Sequence, residues 1–240
     1  MVLLIAFIAL ERHSVDPLLP LRLVTDRTRA GVYLSQALSI MSMFGLMLFL
    51  TYDLQTVNGL SPLLTGVAFL PLVVGMLAGA SVIAPRVPRA SPRTLMTLGS
   101  LVAASGMAFL TTLQPESSYW EVVFPATGLF GLGLGIAFPS AMLLATYKVD
   151  TSEIGVASGL INASQQVGGA IGAAALNTIA ATSTALWIAS NSNDSTTQAT
   201  VQGYVIGAQW ALWFLLLSAV LAFILVRTPG LTATSEHHRR

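Results

Sequence analysis

Few side chains in this sequence can do chemistry, and most of those that can lie on two helical stripes. In GLINASQQVGGAIGAAALN (Gly159–Asn177), Asn162, Gln166, Gly169, Ala173 and Asn177 fall within about an 80° arc at helical spacing. Uncharged amides both donate and accept hydrogen bonds. In apolar surroundings they hold the polar part of a ligand or bond a neighbouring helix, because an unpartnered amide is costly there. Both roles, lining of a substrate cavity and helix-to-helix bonding, are open on the sequence. The second stripe runs Ser35, Ser39, Ser42, Leu46, Phe49 and Asp53. The three hydroxyls are further cavity-lining candidates. Asp53 is read as the one carboxylate within reach of a span's interior, and an ionisable group there is a candidate proton carrier. It stands beside Gln55 and Asn58 at the segment's end, where water is the other explanation.

Covalent and metal chemistry have little to work with. Cysteine is absent, and the three histidines, His13, His237 and His238, lie in flanking segments. No Ser/His/Asp set, phosphate-binding GxxxxGK[ST] loop or cluster of metal ligands can be assembled. An enzyme is therefore not expected, and neither a cofactor nor a metal.

The elements that must position the stripes follow from composition. The chain is 54% hydrophobic and 9% charged, where soluble domains carry roughly 25% charged residues. Mean hydropathy is +0.75. So few charges cannot clothe a water-facing surface, and lipid is the expected solvent. A spanning helix needs about 20 mainly apolar residues. Six segments qualify, at about 31–52, 62–84, 94–112, 120–146, 155–190 and 203–226. The fifth is over-long. A seventh apolar piece, Met1–Leu10, is too short to cross and lacks the basic start and small-residue cleavage site of a signal peptide. It reads as the end of a truncated helix, with a short interfacial helix as the alternative. A cytoplasmic linker (11–30) and a cytoplasmic tail (228–240) complete the expected organisation.

Charge gives the orientation. The stretch IAPRVPRASPR (Ile83–Arg93) holds three arginines, three prolines and no acid. All eleven lysines and arginines lie in this hairpin, in Glu11–Ala30, in Tyr147–Ile154 or in the tail from Arg227 onward. The alternate loops, Asp53–Ser61, Leu113–Tyr119 and Asn191–Gln202, have none. Basic residues near span ends stay cytoplasmic, so six crossings would sort them all to one side. The prolines end both flanking helices. Net charge is +1, and no soluble basic module exists, so nucleic acid is not an expected partner.

Within the spans, Ser61-Pro62 is a helix start and Pro71 a mid-span bend. Pro125 and Pro139 flank the glycine-rich Gly128–Gly135. Glycines recur four apart at Gly75/Gly79, Gly131/Gly135, Gly155/Gly159 and Gly168/Gly172, spacing that lets membrane helices approach closely. Aromatic residues such as Tyr119, Trp120, Trp187 and Tyr204 mark span ends. Asn193-Asp-Ser195 matches a glycosylation acceptor, a pattern frequent by chance.

Four stretches together resemble a known family: ERHSVDPLLPLRL (Glu11–Leu23), LQTVNGLSPLLTGVAFLP (Leu54–Pro71), GLGLGIAFP (Gly131–Pro139) and GVASGLINASQQVGGAIGAA (Gly155–Ala174). They are similar to the C-terminal half of the major facilitator superfamily, and more narrowly to its fourteen-span drug:proton antiporter branch (EmrB/QacA type). The resemblance implies an all-α integral membrane protein, a six-helix C-terminal bundle preceded by the end of a further membrane helix. It also implies proton-coupled efflux of lipophilic or cationic small molecules, with the lipid bilayer, the proton and a missing N-terminal transporter half as partners. The family's antiporter motif and main proton-carrying acids belong to that other half. The hairpin APRVPRASPR stands where the family has a charged loop motif related to G-x-L-a-D-r-x-G-r-r. It keeps the arginines but lacks the aspartate and glycines. The rival expectation is a non-transporting membrane scaffold or assembly subunit.

Overall fold

The computed structural model describes residues 21–86, 90–190 and 195–227. The Met1–Leu10 segment, the first half of the linker, Arg89, Asn193 and the tail from 228 onward lie outside the described residues, with all three histidines. Among those described, every regular element is helical. A short helix α1 (Leu21–Thr25) leads into α2 (Arg27–Tyr52). Then come α3 (Pro62–Ala68), α4 (Leu70–Ala78), α5 (Ala84–Arg86), α6 (Pro92–Leu110), α7 (Phe124–Thr146), α8 (Ile154–Ser190) and α9 (Thr196–Leu225). With their π-helical and 3-10 extensions they make six rods long and apolar enough to cross a membrane: Arg27–Val57, Pro62–Arg86, Pro92–Leu110, Tyr119–Thr146, Thr151–Ser190 and Thr196–Leu225.

Local chemistry sets where the rods begin. Asp26, Ser61, Ser91 and Ser195 are extended N-caps whose side chains accept from the N–H three residues on: Arg29 at 2.9 Å, Leu64 at 3.4 Å, Thr94 at 3.2 Å and Gln198 at 3.2 Å. Pro62 and Pro92 follow directly, at a position where the missing amide proton costs nothing. The first rod overruns its apolar segment by one π-helical turn, Asp53–Val57, closed by the Asn58 N–H on the Asp53 carbonyl at 3.0 Å. The last starts at Thr196 rather than 203, because Ser195 caps a polar turn ahead of the apolar run. The fifth rod's 40 residues reach roughly 60 Å at 1.5 Å each, about twice the hydrocarbon core.

Pro71 divides the second rod. The Leu72 N–H turns to the Phe69 carbonyl at 3.1 Å, which frees the Ala68 carbonyl. The Tyr119 hydroxyl, arriving from the start of the fourth rod, donates to it at 3.0 Å. A neighbouring span thus repairs the backbone that proline opened.

The rods associate through glycine. Gly75 and Gly79 of the second rod pack against α7, and Gly131 and Gly135 of α7 pack against the second rod. An added methyl would come to 2.9 Å from the Leu132 amide at Gly75, 3.0 Å from the Ile136 amide at Gly79, and 2.8 Å from the Leu72 and Met76 carbonyl carbons at Gly131 and Gly135. Gly155 and Gly159 differ, since nothing stands within 4 Å of a methyl built there. In the core α7 packs against α6, the second rod and α2, while α9 packs against α2, α6 and α8. In the fourth rod's most apolar window 61% of residues are buried, against 17% in the second and fifth rods. Those two rods therefore carry most of their surface outward.

One end of the bundle gathers the basic residues. Arg27 donates to the Ile224 carbonyl at 3.0 Å, and Arg29 to the carbonyls of Ala145 at 3.3 Å and Tyr147 at 3.1 Å. These arginines cap the C-terminal ends of α9 and α7, where the helix dipole favours a cation. Arg22 bridges to Glu153 at 2.6 Å and Asp150 at 3.4 Å, and Arg93 lies over the Phe223 ring at 4.2 Å.

Candidate functional site

The fifth rod divides its faces cleanly. On one face Gly168 and Gly172 meet the α2 backbone, with an added methyl 2.8 Å from the Ala37 carbonyl carbon and 2.6 Å from the Met41 Cα. Gly169 belongs to the amide stripe by angle, yet it packs under the Phe44 ring at the edge of that contact. Beyond this edge Asn162, Gln166 and Asn177 are exposed. They run up one open strip with Gly155 and Gly159. A neighbouring strip of the same open face is apolar and includes Val167 and Ile171. The open face thus offers three uncharged amides beside apolar surface, a chemistry suited to a ligand with few polar groups.

The serine stripe has the opposite fate. Ser35, Ser39 and Ser42 are buried, between 0 and 2% exposed. Ser35 Oγ donates to the Ser218 carbonyl at 3.0 Å, and Ser218 Oγ returns a bond to the Ser35 carbonyl at 3.0 Å. Ser39 and Ser100 reach the same Ser218 hydroxyl at 3.1 and 3.2 Å. Ser42 bonds the Ala211 carbonyl at 2.9 Å. The hydroxyls form a seam between α2, α6 and α9, and Ser218 is its hub. Sequence reasoning missed Ser218 and Ser100. Ser218 stands alone in an apolar run and Ser100 is one of several hydroxyls in its helix, so the only signal is a hydroxyl where Ala or Leu would serve as well.

Asp53 closes the stripe at the end opposite the arginines. It is 2% exposed, its Oδ2 accepting from Asn58 Nδ2 at 3.1 Å. Its Oδ1 is buried with no partner among the described residues. The preceding Tyr52 stacks on Tyr204 at 6.3 Å, and Phe49 stacks on the same ring at 5.8 Å. Asp53 is thus buried within a π-helical turn rather than lying in an open loop. Gln36 and Gln165 also hold buried amide nitrogens without partners among the described residues. The sequence stripe chose Gln166 and passed over its neighbour.

Six apolar rods with one basic end define a multi-pass membrane protein. The comparisons agree. The model of the Major Facilitator Superfamily matches residues 4–173, and the chain belongs to that family. It is 45% identical over 229 residues to the puromycin resistance protein pur8 of Streptomyces alboniger, covering 93% of this chain and 46% of that protein. It is 31% identical over 176 residues to the tetracenomycin C resistance and export protein of Streptomyces glaucescens, covering 71% and 32%. A further 31% over 183 residues relates it to the cephamycin export protein CmcT of Amycolatopsis lactamdurans, covering 75% and 38%. The chain therefore spans half or less of the length of these relatives.

Proposed function

We propose that this chain forms the six-helix C-terminal half of a proton-coupled multidrug efflux antiporter of the fourteen-span branch. It sits in the cell membrane with its basic end and C-terminus in the cytoplasm. A further set of spans covers the open faces of the second and fifth rods, and the amide strip lines the path shared between the halves. The cargo is a lipophilic or cationic small molecule that crosses unchanged, so the protein is a transporter and not an enzyme. The observation that carries this reading is the exposed row of Asn162, Gln166 and Asn177 on a membrane-length helix. Such amides face protein or a wet cavity, not hydrocarbon. The printed names of the relatives, resistance and export proteins, agree with export. Asp53, buried with an open acceptor, is the candidate for carrying the coupled proton.

The test uses the full-length transporter in cells, with puromycin as probe. Asn162→Ala with Gln166→Ala lowers export by roughly ten-fold at equal membrane abundance, about one hydrogen bond's worth. Undiminished export would remove the strip from the path. Asp53→Asn abolishes the dependence of export on the proton gradient, and an unchanged dependence would clear Asp53 of the role.

A further inference from the structure

The charged end holds a cavity that the transport reading does not use. It measures about 290 Å³ and is lined by Asp26, Thr28, Arg29, Leu144, Tyr147, Lys148 and Arg227. Three cations face one carboxylate. That carboxylate is committed, because Asp26 caps α2 through the Arg29 N–H. Two further acids nearby, Asp150 and Glu153, are engaged by Arg22. The helix C-termini that would repel an anion are already covered, by Arg29 on α7 and Arg27 on α9. The Lys148 ammonium lies over the Tyr147 ring, 5.5 Å from its centroid, and among the described residues neither it nor the Arg227 guanidinium has an acidic partner. Arg29 keeps N–H groups beyond those its two carbonyls use.

Backbone geometry adds an independent observation. Lys148 has φ of 52°, and it is the non-glycine residue held in the left-handed region among those described. That conformation, just past a helix end, is where glycine is ordinarily found. A lysine there sustains strain and gains nothing in packing, being exposed. Its ammonium is what the position obtains in exchange.

We propose that this cavity binds a phosphate-bearing anion, and that in the membrane its occupant is the headgroup phosphate of an anionic phospholipid. The site joins the ends of three membrane-length rods, the depth at which the headgroup layer begins. Lys148 supplies a point charge and Arg227 and Arg29 supply planar forks, both suited to phosphate oxygens. The proposal needs the membrane placement but not the transport activity, so loss of export leaves it standing.

The experiment titrates the purified detergent-solubilised protein with phosphatidylglycerol and counts bound lipid by native mass spectrometry. Lys148→Gln and Arg227→Gln each weaken binding about five-fold, and together on the order of 30-fold. Arg86→Gln, at the same end but outside the cavity, leaves binding unchanged. Lys148→Gly removes the charge and relaxes the backbone, so it binds as weakly as Lys148→Gln yet melts no lower than the wild type. Inorganic phosphate, titrated separately, identifies the source. If phosphate alone stabilises the wild type and not the double variant, while phosphatidylglycerol shows no preference, the site stands and takes a soluble anion. Equal retention of both ligands by wild type and double variant, or equal weakening by Arg86→Gln, would overturn the proposal.

Discussion

The serine stripe of α2 and the amide stripe of α8 look alike as sequence, three small polar side chains on one helical face amid apolar residues. They end in opposite surroundings. Ser35, Ser39 and Ser42 are sealed against α9, each with a partner within 3.1 Å. Asn162, Gln166 and Asn177 are open. The difference teaches that polar spacing says where hydrogen bonds must be made but not with whom. The sealed stripe finds its partners inside the bundle, and the open one has them still to find.

The comparison can be broken most severely at the contact that keeps the two stripes apart. Gly172→Leu places a branched side chain where even a methyl meets the Met41 Cα at 2.6 Å. It should cost about 3 kcal/mol or more, read as loss of folded protein by fluorescence-detected size exclusion. Next is the hub. Ser218→Val leaves the hydroxyls of Ser39 and Ser100 without their shared partner inside the seam and should cost roughly 1–3 kcal/mol, seen as a lower melting temperature. The same measurement sharpens the contrast on the open side. Asn162→Ala with Gln166→Ala should change stability by less than about 0.5 kcal/mol, because no side-chain bond of either amide to another described residue is lost. A stability loss equal to that of Ser218→Val would mean that the open strip is structural glue. The smallest effect belongs to the charged clasp. Arg22→Gln removes exposed ion pairs to Glu153 and Asp150, which solvent screens, and its melting curve should overlay that of the wild type in high salt.

Much of the frame was legible in the residues. Ser61-Pro62 announces a helix start, Pro71 a break, and the one-sided arginines a single charged end. Each of these rests on backbone chemistry or on charge, which act locally. Less was legible where two distant segments meet. Glycines four apart occur at Gly131/Gly135 and at Gly155/Gly159, yet the first pair is pressed into the second rod and the second pair touches nothing within 4 Å. Asp53 sits beside Gln55 and Asn58 in a stretch that reads as wet, but it is 2% exposed within a π-helical turn, where Asn58 bonds its carboxylate. Nothing near Ser218 in the chain marks it as a hub, because its partners lie 118 to 183 residues away.

The sequence by itself determined the number of rods, most of their ends and the side on which the charge collects. Helical periodicity, proline and the cost of carrying charge through lipid all act within a turn or two of the residue concerned. Only the tertiary structure decided which polar stripe was sealed and which was left open, and which cations were spent on helix ends. A hydrogen bond in an apolar medium is worth having only when its partner arrives, and arrival depends on how rods far apart in the chain are set side by side.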